Sequence, residues 1–135
     1  MAMITKNEYG VVAVNNSVLT KMIINNLLSF EEDIVPCTRK GKIIRKGFFT
    51  GYNDFGNAIE IIEQGTRIRV RIYIVAKFDG DITGISEQLF NLIEEDFDVV
   101  CLDKPEEIRL TVLGVLYAGE KQPHATNVDI IRKNN

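Results

Sequence analysis

Between Arg67 and Phe78 the chain reads Arg-Ile-Arg-Val-Arg-Ile-Tyr-Ile-Val-Ala-Lys-Phe, and as far as Ile74 apolar and polar residues alternate without a break. Successive side chains of a strand point to opposite faces, so Ile68, Val70, Ile72 and Ile74 lie on one side and Arg67, Arg69, Arg71 and Tyr73 on the other. One face is made for a core and the other for water. Asn57 to Gln64 reads as a second strand, and Gly65 breaks the two apart, which predicts a β-hairpin.

The other elements arrange themselves around that hairpin. Tyr9 to Val14 reads as a short apolar strand, and Asn15, Asn16 and Ser17 supply the side-chain acceptors that open helices. Val18, Leu19, Met22, Ile23, Leu27 and Phe30 recur at helical spacing, predicting a first helix over Ser17 to Glu31. A second apolar stripe, Ile85, Leu89, Leu92 and Ile93, follows capping candidates in Asp79 to Thr83 and predicts a helix ending near Glu95 or Asp96. After Pro105, Ile108, Leu110 and Val112 alternate with Arg109, Thr111 and Leu113 as a last strand. The order strand, helix, hairpin, helix, strand predicts an α/β (α+β) fold, a small mixed sheet with two helices on one face. Its 135 residues suit one core, with 45% hydrophobic and 26% charged residues. We read residues 1–118 as a single domain and 119–135 as a loosely held C-terminal tail. Pro36 and the glycines at 41, 47, 51 and 56 leave the intervening stretch without a helix signal.

Charge is segregated along the chain. Residues 38–77 hold nine basic residues against three acidic, and residues 78–107 hold ten acidic residues against Lys104 alone. Such polarity can steer an anionic partner or let copies associate by opposite faces, and two solvated faces of one domain would carry it equally. Arg67, Arg69 and Arg71, with Arg45 and Lys46, are the candidate partner-binding residues.

Catalytic chemistry finds little footing. The only histidine, His124, stands beside Pro123 in the tail, far in sequence from Cys37 and Cys101, so no catalytic residue, metal site or cofactor is predicted. The two cysteines read as unpaired thiols. Thr38-Arg39-Lys40 gives Cys37 a cationic setting that would lower a thiol pKa, but no partner base is in view. The Gly41 to Gly47 segment ends in Phe48 where a phosphate loop needs lysine. Glu94, Glu95, Asp96 and Asp98 lack the alternation and glycine of a calcium loop and read as a solvated helix end. Carboxylates such as Glu60 or Asp81 could line a pocket that sequence does not reveal.

The segment Lys46-Gly47-Phe48-Phe49-Thr50-Gly51-Tyr52 half-resembles the aromatic stacking segment of RNA-recognition domains. Phe49 stands where that motif needs glycine or alanine, and Val11 to Val14 lacks the companion aromatic. RNA binding through this segment and the arginine face is therefore the alternative function. Met1 to Tyr9 lacks the apolar stretch of a signal peptide, and no run approaches the ~18 apolar residues of a membrane span. The expectation is a cytoplasmic protein without direct membrane insertion.

Three segments carry a family resemblance: Gly10-Val11-Val12-Ala13-Val14 with its helix, Val70-Arg71-Ile72-Tyr73-Ile74-Val75-Ala76-Lys77-Phe78, and Ile85 to Ile93 leading to Ile108-Arg109-Leu110-Thr111-Val112. Together they resemble the alkaline shock protein family, the envelope-stress proteins of Gram-positive bacteria. The chain departs from the family pattern in having Asp79 after Phe78, where glycine is usual, and in an acidic stretch from Asp96 to Glu107. The resemblance implies a non-catalytic, homo-oligomeric stress-response protein of the cytoplasm that supports the cell envelope and is held near the membrane by a membrane-protein partner.

Overall fold

The computed structural model describes residues 2–7, 10–45 and 52–134, with side chains described over 15–45 and 54–134. The elements run β1 (Ala2–Asn7), β2 (Gly10–Asn15), α1 (Asn16–Leu28), β3 (Ile34–Pro36), a short α2 (Tyr52–Phe55), β4 (Ile59–Gln64), β5 (Arg67–Lys77), α3 (Ile82–Val99), β6 (Glu107–Leu116) and β7 (His124–Lys133). The class is α+β: two long helices and a five-stranded mixed sheet, with β1 and β2 paired to each other in a separate hairpin.

The alternating segment becomes the centre of that sheet. β4 pairs antiparallel with the first half of β5, Ile61 opposite Val70, and β3 pairs with its second half, Val35 opposite Val75. The two short strands thus occupy one edge of β5 in tandem. On the other side β6 runs parallel, Ile72 opposite Leu110. Parallel neighbours need a long crossover, which α3 supplies. β7 then pairs antiparallel with β6, Leu110 opposite Ile130.

Both long helices open on side-chain caps: Asn15 Oδ1 accepts from Ser17 N at 2.9 Å, and Asp81 Oδ1 accepts from Gly84 N at 3.1 Å. α3 ends in a Schellman turn, Leu102 N donating to Phe97 O at 2.9 Å and Cys101 N to Asp98 O at 3.0 Å. Cys101 takes the left-handed position there, at φ 63°. Helix and sheet meet in one core: Leu19, Ile23 and Leu27 of α1 and Leu89, Ile93 and Phe97 of α3 close over Val70, Ile72, Ile74, Ile108 and Leu110, all fully buried.

Several boundaries differ from the sequence reading. Residues 124–133 are not a loose tail: β7 completes the sheet, and Arg132 holds it to α3 by Nη1 contacts of 2.7 Å to Asn91 Oδ1 and 3.1 Å to Glu94 Oε1, stacked 5.4 Å from the Phe90 ring. A domain boundary at residue 118 would cut that sheet. α3 runs past Glu95 because Phe97 is needed in the core. The first apolar strand is β2, which pairs with β1 and lies outside the main sheet. Gly114 marks a bulge on β6: an added Cβ would meet Pro123 Cβ at 2.9 Å and the His124 carbonyl at 3.3 Å.

Candidate interaction surface

The face of the sheet away from the helices is a lattice of long charged side chains. Strand register dictates its rows, since cross-strand partners share a face. One row reads Glu60, Arg71, Arg109, Ile131, and the next reads Ile62, Arg69, Glu107, Lys133. Arg71 and Arg109 stand side by side, a repulsive placement that flanking carboxylates relieve. Glu60 accepts the ion pairs of Arg71, at 3.5 Å, and of Arg39, while Glu107 lies 3.5 Å from Arg109. Glu106, just before β6, sits 3.6 Å from both Arg67 and Arg69.

Burial and exposure are mixed within this layer. Glu107 is only 6% exposed and Thr111 7%, covered by their neighbours, and Thr111 Oγ1 donates to Asp129 Oδ1 at 2.7 Å. The Nε atoms of Arg69, Arg71 and Arg109 and one oxygen each of Glu106 and Glu107 are buried without a hydrogen bond. Long arginine stems lying along a sheet produce this pattern, with the aliphatic chain covering the surface and the charged head at its rim. Among the described residues, five of the six such buried side-chain atoms belong to this one layer. Two of them, Arg69 Nε and Glu106 Oε2, face each other at 3.6 Å as a loose ion pair.

The sequence-predicted residues fall into two places. Arg67, Arg69 and Arg71 line up on the lattice, their side chains 73%, 40% and 32% exposed. Arg45 stands apart, near the β6–β7 connection, where its Nη2 donates to the Lys121 carbonyl at 3.1 Å. With Lys40, Lys42 and Lys121 it lines an open basic depression of about 670 Å³. Lys46 and the aromatic segment as far as Gly51 lie outside the described residues. Sequence reasoning missed Arg109 and Lys133 as members of the lattice, although the alternation of β6 already placed Arg109 opposite the core-facing positions.

The remaining candidates have structural roles. Asp81 caps α3 and Glu60 anchors two arginines. His124 is exposed at the start of β7, its Nε2 2.8 Å from Glu120 Oε2 and its ring edge-on to Tyr117 at 5.0 Å. Cys37 is fully buried, and burial pushes its thiol from 9.0 up to about 12, overriding the cationic sequence neighbourhood that would have lowered it. The acidic residues Glu94, Glu95, Asp98 and Asp103 border a shallow depression at the end of α3, with Glu94 held by Arg132 and Asn134. Among the described residues no cluster of three or more histidines, cysteines or carboxylates could hold a metal ion, and no helix is long and apolar enough to cross a membrane. No protein-family model, curated protein or solved structure matches the chain.

Proposed function

We propose that this is a non-catalytic interaction protein of the cytoplasm that serves cell-envelope homeostasis under stress, docking a membrane-protein partner through its arginine-bearing sheet face. The envelope role and the membrane-held partner come from the resemblance to the alkaline shock protein family. The docking surface has its own support: the helices of the core pack on one side of the sheet, and the other side presents Arg67, Arg69 and Arg71 with much of their side chains in water. Partly paired guanidinium groups in a shared field suit an acidic, carboxylate-bearing segment, which can take bidentate bonds from them. Fixed charge on a broad face gives a fast, salt-sensitive encounter.

The test is affinity capture from the native host with membranes retained, comparing wild type with the charge-reversed R67E protein, whose side chain on the lattice is 73% exposed. Wild type is expected to retain a membrane protein at low salt, and the variant to lose it while melting at the same temperature. Equal retention by both proteins, or no membrane protein with either, contradicts the proposal. Salt-steep recovery of RNA in its place would shift the function to nucleic-acid binding.

A further inference from the structure

β7 is a ten-residue edge strand, bonded to β6 along one side, and no strand of the described residues lies along the other. That side is a row of backbone donors and acceptors, the template on which another strand adds. Two of its three large aliphatic side chains are uncovered as well, Val128 being 51% and Ile131 43% exposed, while Ile130 packs against the core. We propose that β7 pairs antiparallel with β7 of a second copy of this chain, about a two-fold axis at Ile131, so that one sheet runs through both molecules. This rests on the reading above that the chain works by association, and adds the surface and the register.

The register follows from symmetry and charge. A two-fold axis perpendicular to the sheet keeps each residue on its own face, so it must pass through a residue pair, and each choice fixes every other contact. An axis at Asp129 sets two carboxylates against each other. An axis at Ile130 places each Asp129 opposite Ile131, and one at Val128 places it opposite Asn127. Only an axis at Ile131 gives opposite charges facing one another: Asp129 of each copy meets Lys133 of the other, on either side of an Ile131 pair. Asp129 Oδ1 accepts from the Thr111 hydroxyl on β6 at 2.7 Å, which leaves Oδ2 for a partner across the free edge, and Lys133 has no ion-pair partner among the described residues.

Two measurements on the full chain test it. In a C101S background, I131C should form a disulfide-linked dimer rapidly, because directly opposed Cβ atoms lie ~5 Å apart. N127C should not, since the two copies of residue 127 would be more than ~20 Å apart. Sedimentation should then show the dimer weakened at least tenfold by D129K and by K133D separately, and restored when the two are combined. Cross-linking at 131 with rescue by the double reversal supports the pairing. A wild-type dimer that links equally at 127 and 131, or shows no rescue, overturns the β7 register while leaving association intact. A protein monomeric at every concentration overturns self-pairing altogether, and the membrane-capture experiment then decides the docking face alone.

Discussion

On the helix side of β5, Val70, Ile72 and Ile74 have no exposed surface, whereas on the open side Arg69 and Arg71 keep 40% and 32% of their side chains in water. The same strand carries both. Each apolar side chain buried contributes about 1.5–3 kcal/mol, while partly exposed ion pairs are worth about 0–1 kcal/mol each. Stability therefore comes from one side of the sheet, and the other can be spent on recognition without risk to the fold. The difference also explains how a chain can be stable while leaving polar atoms unbonded in one layer.

The comparison can be broken most forcefully from the helix side. Phe97→Ala removes the largest fully buried side chain among the described residues and should cost about 3–5 kcal/mol in urea unfolding. A cost near zero would mean that the helix layer does not hold the fold. Cys37 probes the dry spot on the other side, buried yet outside the helix-side core. The folded state holds its thiol proton more tightly than the unfolded chain. Its contribution should be intact below pH 9 and fall away as the pH rises toward 12, with melting of Cys37→Ala lacking that extra alkaline decline.

Smaller effects sharpen the contrast. Gly114→Ala drives a methyl into Pro123 and should destabilise by about 1–3 kcal/mol, a loss of backbone fit and not of surface charge. Cys101→Gly should stabilise by about 1 kcal/mol, because glycine adopts the left-handed end of α3 without strain. Arg71→Ala should change stability by less than about 1 kcal/mol in the same unfolding assay, yet weaken partner capture. A loss comparable to that of Phe97→Ala would make the lattice a structural element and not a docking face.

How much of this was legible in the sequence depends on how strongly each segment's environment differs between its two sides. The β4–β5 hairpin and β6 could be read because core and polar positions alternate along β5 as far as Ile74 and along the start of β6. β7 could not, because an edge strand with both faces partly wet shows little alternation: Thr126-Asn127-Val128-Asp129 looks like a tail until Arg132 is seen reaching Asn91 and Glu94. The acids Glu94 to Asp98 suggested a helix end, yet Phe97 between them carries α3 on to its turn at Cys101. In the candidate surface Arg67, Arg69 and Arg71 were visible from spacing alone, while Arg109 was missed. Their carboxylate partners Glu60 and Glu106 were not, since those pairings depend on strand register, which folding fixes across distant parts of the chain.

Amide hydrogen exchange followed at a low and a high protein concentration tests the division between a side that holds the fold and a side that associates. The account predicts that β7 amides become more protected as concentration rises, while β5 and β6 amides, already strongly protected, do not change. Identical β7 exchange at both concentrations, or a concentration effect spread evenly over the helices, would contradict it.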